Sequence, residues 1–363
     1  MNNNKLIEVA DLFDSLHQTP KYSDSGYPMV RVADVSAGNL QLETCLTVSL
    51  SDYHKYTAKH IPTYGDIVIS RVGTYGVFAY VNTKRKFCLG QNTAILSPRI
   101  NSKYLYYCLN SPGIKKQIDV AVVGSTQKTI SLKNIKSLII PRFGELIEAR
   151  IADYLSLLDD KIENNKRINE NLAQQAQAIY ADIFITNADP AWPLGHLSDL
   201  IIVRYGKDHK KLDDGPFPVY GSGGVMRYVE RPIYEKESVL IPRKGTLNNV
   251  MYVNEPFWSV DTMFFTEMKL PDVAKFVFHF IKSKDLASLN AGSAVPSMTT
   301  AILNAMELCI PDAETLKRFE SIVSPMYKAM QHNTEESKKL AAVRDSLLPR
   351  LMSGELDVSE LDL

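Results

Sequence analysis

Residues 69–82 read ISRVGTYGVFAYVN, and residues 241–254 read IPRKGTLNNVMYVN. Arg71, Gly73, Thr74, Tyr80, Val81 and Asn82 recur as Arg243, Gly245, Thr246, Tyr252, Val253 and Asn254, at a constant offset of 172 residues. Self-similarity at one fixed offset marks an internal repeat. The match extends outward. Asn92-Thr93 is echoed by Asp261-Thr262, Gly124-Ser125 by Gly292-Ser293, and Ile140-Pro141 by Ile310-Pro311. Upstream, Tyr27-Pro28 has a counterpart in Phe217-Pro218 at a looser offset.

A long helix follows each copy. After Pro141 the apolar positions run Ile151, Leu155, Leu158 and Ile162, then Leu172, Ala176, Ile179 and Ile183, with Asn165 and Asn169 between the two groups. Steps alternating between four and three residues are the rhythm of a coiled-coil seam. After Pro311 the same seam runs Phe319, Val323, Met326 and Met330, then Leu340 and Leu347, with Asn333 and Ser337 in its middle. Ile151/Phe319, Leu155/Val323, Leu158/Met326, Ile162/Met330, Asn165/Asn333, Asn169/Ser337, Leu172/Leu340 and Ile179/Leu347 all lie 168 residues apart. If the helices pair antiparallel, Asn165 and Asn169 face Asn333 and Ser337. A polar layer of that kind sacrifices stability and fixes one register. A helix of about 40 residues spans ~60 Å, long enough to hold two modules on successive major grooves.

Each module reads as mixed helix and strand. GDIVISRVG and ESVLIPRKG are strands ending at Gly73 and Gly245; FAYVN and VMYVN are the returning strands of hairpins; TAILSPR and TMFFTEM are further strands. KYLYYCLNSPGIKKQI and AKFVFHFIKSKDLASL are helices, the first closing near Pro112-Gly113. Leu138-Ile139-Ile140 and Leu308-Cys309-Ile310 return a strand before each long helix, and TNADPAWPL at 186–194 is a linker. The expected fold is thus α/β (α+β): two globular modules at 1–141 and 186–311, and two long antiparallel coiled-coil helices at 142–185 and 312–363.

The net charge of zero conceals an uneven distribution. Residues 1–140 carry 16 Lys/Arg against 9 Asp/Glu, whereas residues 186–310 carry 13 against 14. The first module, at +7, suits a polyanion better than the second, at −1. The start, MNNNKLIEVADLF, has no secretory pattern, and no apolar run reaches the roughly 18 residues a membrane span needs. The four cysteines are far apart, without a CxxC or Cys/His cluster. These features predict a cytoplasmic protein with reduced thiols and no metal site. Signatures of catalysis are missing too. There is no GxxxxGK[ST] loop, and GSGG at 221–224 reads as a tight turn. No DPPY-like box is found, nor a carboxylate–lysine set with metal-nuclease spacing after Pro271-Asp272, and the histidines form no HxxxH.

The assembled segments resemble the specificity subunit of type I restriction-modification systems. Those that carry the resemblance are GDIVISRVGTYG (65–76), GSTQKTISLKNIKSLIIP (124–141), KIENNKRINENLAQQAQAIYADIF (161–184), FPVYGSGGVMRY (217–228), LIPRKGTLNNVMYVNEPFWSVDTMFF (240–265) and LLPRLMSGELDVS (347–359). The resemblance covers nearly the whole chain, in the family's order. It implies that each module is a target-recognition domain reading one half of a bipartite double-stranded DNA target, and that the helices pair, space the domains and dock modification subunits. It implies no catalysis by this chain. Two DNA adenine methyltransferase subunits would use S-adenosylmethionine, and restriction subunits would use ATP and Mg for translocation and cleavage. The second module departs from the first where Gly124-Ser125-Thr126-Gln127 becomes Gly292-Ser293-Ala294-Val295. An alternative reading is a coiled-coil adaptor with peptide-binding modules and no DNA specificity.

Candidate contacts follow from chemistry and position. Phosphate contacts orient a protein on DNA, and contacts to base edges read sequence. Arg71 and Arg243 leave a strand just before a glycine turn; each suits guanine or phosphate, or a salt bridge within the fold. Thr74, Tyr75, Lys244, Thr246 and Asn248 sit in the same turns, as contacts or as plain turn residues. Lys84, Arg85 and Lys86 form a hairpin-tip charge run beside Phe87, a phosphate clamp or a solvated tip. Ser125, Thr126, Gln127 and Lys128 form a polar loop. Arg204, Lys207, Lys210 and Lys211, near Tyr205 and Tyr220, form a basic cluster that would offset the second module's charge. Asn92 and Asp261 close the same turn in each copy and read as structural.

Overall fold

The computed structural model describes residues 2–122, 128–289 and 297–358. The chain divides into two compact units, Met1–Asn165 with Glu335–Leu363, and Lys166–Thr334.

The first unit is built on a sheet containing β1 (Ala10–Asp14), β2 (Ile67–Ser70), β3 (Phe78–Tyr80) and β4 (Thr93–Pro98), in the order β1-β4-β2-β3, with Gly38–Asn39 added beside β3. The second unit repeats it with β5 (Ile201–Tyr205), β6 (Ser238–Pro242), β7 (Met251–Val253) and β8 (Met263–Met268), in the order β5-β8-β6-β7. β2 and β6 are continuous apolar runs because both faces are covered. Ile67 and Ile69 join one core cluster and Val68 another; Val239 and Ile241 join one and Leu240 another. A strand buried on both sides gains nothing from polar alternation.

On one face lies a helix, α1 (Ser102–Asn110) in the first unit and α3 (Ala274–Lys282) in the second. The other face carries a small sheet whose parallel pair recurs: Met29 opposite Cys88 in one unit, Val219 opposite Trp258 in the other. The loosely offset Tyr27-Pro28 and Phe217-Pro218 open the equivalent strands Tyr27–Val30 and Phe217–Gly221. Capping side chains repeat as well. The Ser131 hydroxyl accepts from the Asn134 N–H at 3.1 Å, and the Thr299 hydroxyl from the Ile302 N–H at 3.2 Å. Each starts a short helix by satisfying a donor that the helix itself leaves unpaired.

Two sequence expectations need correction. The helix expected over 274–289 ends at Lys282. Beyond it the Asp285 carboxylate accepts from the Asn248 carboxamide at 2.9 Å, and the Ser288 hydroxyl donates to the Asp285 carbonyl at 2.7 Å. These side chains offer the backbone a turn in place of a helix. Each globular module also opens on a strand that no apolar pattern announces: Asn2–Lys5 pairs with Ile139–Arg142, and Leu194–His196 with Glu307–Cys309.

The long helices are α2 (Glu145–Ala181) and α4 (Ala313–Ser353), and each unit holds a half of both. In the first unit Ile151 and Leu155 share a core with Leu348 and Leu351, the Asp159 carboxylate accepts from Arg344 at 2.6 Å, and Asn165 donates to Glu336 at 2.7 Å and Ser337 at 3.3 Å. In the second unit Asn333 donates to Asn169 at 2.9 Å, while Ala176, Tyr180 and Ile183 share a core with Phe319 and Val323. Numbers rise along α2 as their partners fall along α4, so the helices run antiparallel. Ile151, Leu155, Asn165, Phe319 and Val323 are buried; Leu158, Ile162, Asn169, Leu172, Ile179, Met326, Met330, Asn333, Ser337, Leu340 and Leu347 are half-buried. Among the described residues no helix is long and apolar enough to cross a membrane.

Candidate nucleic-acid interface

In each unit the Arg-x-Gly-Thr turn leaves the sheet where β2 or β6 ends, and a second segment clamps it. The Arg71 N–H donates to the Asn92 carbonyl at 2.9 Å, the Gly73 N–H to Lys128 at 3.1 Å, and the Ile130 N–H to Arg71 at 3.0 Å. In the second unit the Arg243 N–H donates to Thr262 at 2.9 Å, the Met298 N–H donates to Arg243 at 2.9 Å, and Lys244 bridges to Ser297. Gly73 and Gly245 have φ of 73° and 84°. That left-handed conformation is easy only for glycine, which explains why this position survives in both copies.

In the first unit Thr74 is exposed, and the half-buried Tyr75 donates to Asp119 at 3.4 Å. Lys128 is exposed, with its Nζ 5.9 Å from the centre of the Tyr75 ring. Ser125, Thr126 and Gln127 lie outside the described residues. Lys84, Arg85 and Lys86 are all exposed beside buried Phe87, so the charge run sits on a fixed apolar anchor. Arg71 takes the internal one of its two possible roles. Its side chain is 11% exposed, Nη1 donates to the Asp14 carboxylate, and Nε reaches the Ile130 carbonyl at 3.5 Å. The other Asp14 oxygen meets His17 Nε2 at 3.0 Å.

In the second unit Arg243 lies 5.4 Å over the Tyr205 ring, and its Nη1 donates to the Asp261 carbonyl at 3.3 Å. Lys244 and Thr246 are exposed. Asn248 is exposed and engaged within its own unit: its carboxamide donates to Asp285 at 2.9 Å and accepts from the Ala287 N–H at 3.1 Å. Asn249 donates to the Ser222 carbonyl at 2.7 Å, tying the turn to the tip of the hairpin formed by Phe217–Gly221 and Gly224–Val229. Val225 and Met226 near that tip are exposed.

Arg204 faces Glu267 through two hydrogen bonds of 2.9 and 3.2 Å, so its charge is matched on the sheet surface. Lys207, Lys210 and Lys211 are exposed, and the Lys207 carbonyl accepts from the Trp258 indole at 2.9 Å. The Tyr220 hydroxyl donates to Glu255 at 2.9 Å, and burial pushes its ionisation upward. Tyr220 is thus committed to its own unit.

Taken together, the exposed cations Lys84, Arg85, Lys86 and Lys128 in one unit, and Lys207, Lys210, Lys211 and Lys244 in the other, are suited to phosphate. The turn hydroxyls and the planar donor fork of Arg243 are suited to base edges or phosphate. Sequence reasoning left out Asp14 and undervalued Tyr205. A signal existed: Leu6, Glu8 and Val9 are echoed by Leu197, Asp199 and Leu200. Glu8 and Asp199 accept from the N–H of Lys5 at 3.0 Å and of His196 at 2.7 Å, in the same one-turn helix. Aligning those residues puts Asp14 opposite Tyr205 in the repeat.

Comparison with known proteins identifies the family. A family model described as the type I restriction modification DNA specificity domain matches residues 1–174 and 192–342. The Type I restriction enzyme MjaIX specificity subunit of Methanocaldococcus jannaschii is 22% identical over 340 residues, covering 82% of this chain and 79% of that protein. A type I specificity subunit of Mycoplasma pneumoniae is 25% identical over 309 residues, covering 76% of this chain and 80% of its own. The crystal structure of a type I restriction-modification S subunit from M. genitalium superposes with a TM-score of 0.60 at 18% identity, over 96% of this chain and 95% of that one.

Proposed function

The chain belongs to the family of type I restriction modification DNA specificity domains and is a DNA sequence-specificity subunit, and on that premise we propose how its two halves divide the work. Each unit lays its Arg-x-Gly-Thr turn and clamping segment against one half of a bipartite duplex target. α2 and α4 hold the two halves at a fixed spacing and offer the surface on which two DNA adenine methyltransferase subunits dock. Restriction subunits join that core. S-adenosylmethionine, ATP and Mg belong to those partners, and this chain contributes recognition without catalysis, in the cytoplasm where the DNA is.

The observation that carries this reading is the repetition of one turn, at the end of the same interior strand in each sheet, with different side chains around it. A shared scaffold with diverged surroundings is what two different half-sites require. Coulombic attraction favours residues 1–140, at +7, over residues 186–310, at −1, where local contacts have to supply more of the grip.

The test uses the assembled methyltransferase complex. Mapping adenine methylation in a strain that expresses it is expected to give a split sequence with one gap length. Exchanging residues 186–311 for those of a relative is expected to change only one half of that sequence. Methylation at an undivided site, or a swap that alters both halves, would refute the division of labour.

A further inference from the structure

Asp14 closes β1 and Tyr205 closes β5, and the two hold the same place in the two sheets. Asp14 is opposite Ala94, which is opposite Ile69; Tyr205 is opposite Phe264, which is opposite Ile241. Ile69 and Ile241 each stand two residues before the turn arginine. One structural position therefore meets Arg71 with a carboxylate and Arg243 with a phenol ring.

The chemical outcome differs. The Arg71 guanidinium is nine-tenths buried, its charge is matched by Asp14, and both Nη1 and Nε are engaged within the unit. Arg243 has no counter-charge beside it: among the described residues it makes no ion pair, and its one hydrogen bond goes to a backbone carbonyl. A ring beneath a guanidinium attracts it without supplying a counter-charge or an acceptor for its remaining N–H donors. Tyr205 is itself held, edge against Phe264 at 5.0 Å, and is 51% exposed. It thus aims the arginine without neutralising it. Lys244 and Thr246 stand exposed in the same turn.

Resting on the DNA-reading function proposed above, we infer that this single position decides whether the turn arginine is offered to DNA. Arg243 contacts the duplex, and Tyr205 is its positioning residue. Arg71, held by Asp14, supports its own turn and does not contact DNA. The globular segment with the less favourable net charge, residues 186–310, is thus the one that keeps its turn arginine uncommitted.

The experiment measures binding of the assembled methyltransferase complex to a fluorescent duplex carrying its methylated sequence, over a range of salt concentrations. Tyr205→Asp supplies the carboxylate that the first unit uses. It and Arg243→Ala are each expected to weaken binding about ten-fold or more and to lower the salt slope by about one. Tyr205→Phe keeps the ring and is expected to bind as the parent does. Arg71→Ala is expected to lower the melting temperature and leave the salt slope unchanged; Arg71→Lys, which keeps a charge beside Asp14, controls for folding. Parental affinity and slope in Tyr205→Asp, or an Arg71→Ala slope reduced as far as that of Arg243→Ala, would overturn this assignment alone. Binding by the parent complex with no salt dependence would overturn the DNA-reading function and this assignment with it.

Discussion

The Tyr107 hydroxyl donates a 2.7 Å hydrogen bond to Asp159, and its counterpart 172 residues on, His279, meets Tyr327, the counterpart of Asp159, at 2.9 Å. The helix on the sheet of each unit, α1 or α3, is thus tied to the neighbouring long helix at one repeated point. The chemistry at that point has diverged. In the first unit Asp159 is an anion that Arg344 also binds, at 2.6 Å. In the second unit the tie is neutral: the Gln177 carbonyl oxygen, 2.8 Å from His279 Nδ1, can only accept, so Nδ1 donates and Nε2 accepts from Tyr327.

That neutral tie makes the second unit sensitive to acid. Burial, and then the nearby charge of Lys282, push the His279 imidazole down to about 4 from its ordinary 6.5. A histidine depressed by folding contributes its full stability above 6.5 and loses it as pH falls toward 4. The loss is on the order of 3 kcal/mol across that window. The protection factors of α3 amides, that is, exchange corrected for the intrinsic slowing of amide exchange toward acid, are expected to fall steeply between pH 7 and about 4, and His279→Gln is expected to flatten the dependence. An equally steep dependence in that variant would place the sensitivity elsewhere.

Lys275 is 2% exposed, with its ammonium 3.0 Å from Glu237 and 2.7 Å from Glu320, joining the residue before β6, α3 and α4 in one ion cluster. Removing one member of such a cluster strands the others. Lys275→Ala is expected to destabilise the second unit by about 3–5 kcal/mol, whereas replacing all three with apolar residues of similar size is expected to be close to neutral. Denaturant unfolding of the two variants decides this, and similar losses in both would show that packing, not charge, is at stake.

The Asn169–Asn333 pair is a polar interruption in an otherwise apolar seam. Converting both to Leu is expected to raise the unfolding temperature, since apolar seam positions are the more stabilising. It is also expected to admit helix registers one heptad apart. Methylation mapping with the double variant is then expected to return a second gap length in the target; one unchanged gap would mean that the register is fixed by other contacts.

Two glycines of the Arg71 turn separate strain from crowding. Gly73 has φ of 73° with open space where a side chain would go, and Gly76 has φ of 67° with Ile118 Cγ2 2.9 Å from that place. Gly73→Ala is expected to cost about 1–2 kcal/mol from backbone strain alone. Gly76→Ala adds overpacking against buried Ile118, for roughly 1–3 kcal/mol more. Thermal unfolding that ranks them in the reverse order would contradict this account.

Much of this architecture is legible in the residues themselves. Gly73 and Gly245 mark it because left-handed backbone admits few alternatives. Ile67–Ser70 and Ser238–Pro242 mark it because a strand covered on both faces must be apolar throughout. The pairing of α2 with α4 is legible because seam spacing is a one-dimensional signal. What stayed hidden depends on partners brought together from afar. Asn2–Lys5 is a strand only because Ile139–Arg142 offers it a ladder; its own residues are polar and carry no period. The different fates of Arg71 and Arg243 are set by residues 57 and 38 positions upstream, across two sheet registers. Asn248 looks like an exposed turn amide until Asp285 and Ala287 arrive to engage it.

One consequence of the division into units concerns time. The second unit is one uninterrupted stretch, Lys166–Thr334, nested inside a first unit that is completed only by residues from 335 onward. Leu348, Leu351 and Val358 lie in the same core as Leu6 and Ile67. During synthesis at about 5–20 residues per second, the half emerging later therefore has all its parts first, and the half that began earlier waits many seconds for its last helix turns. A lesion near residue 350 strikes the unit that is begun first and completed last.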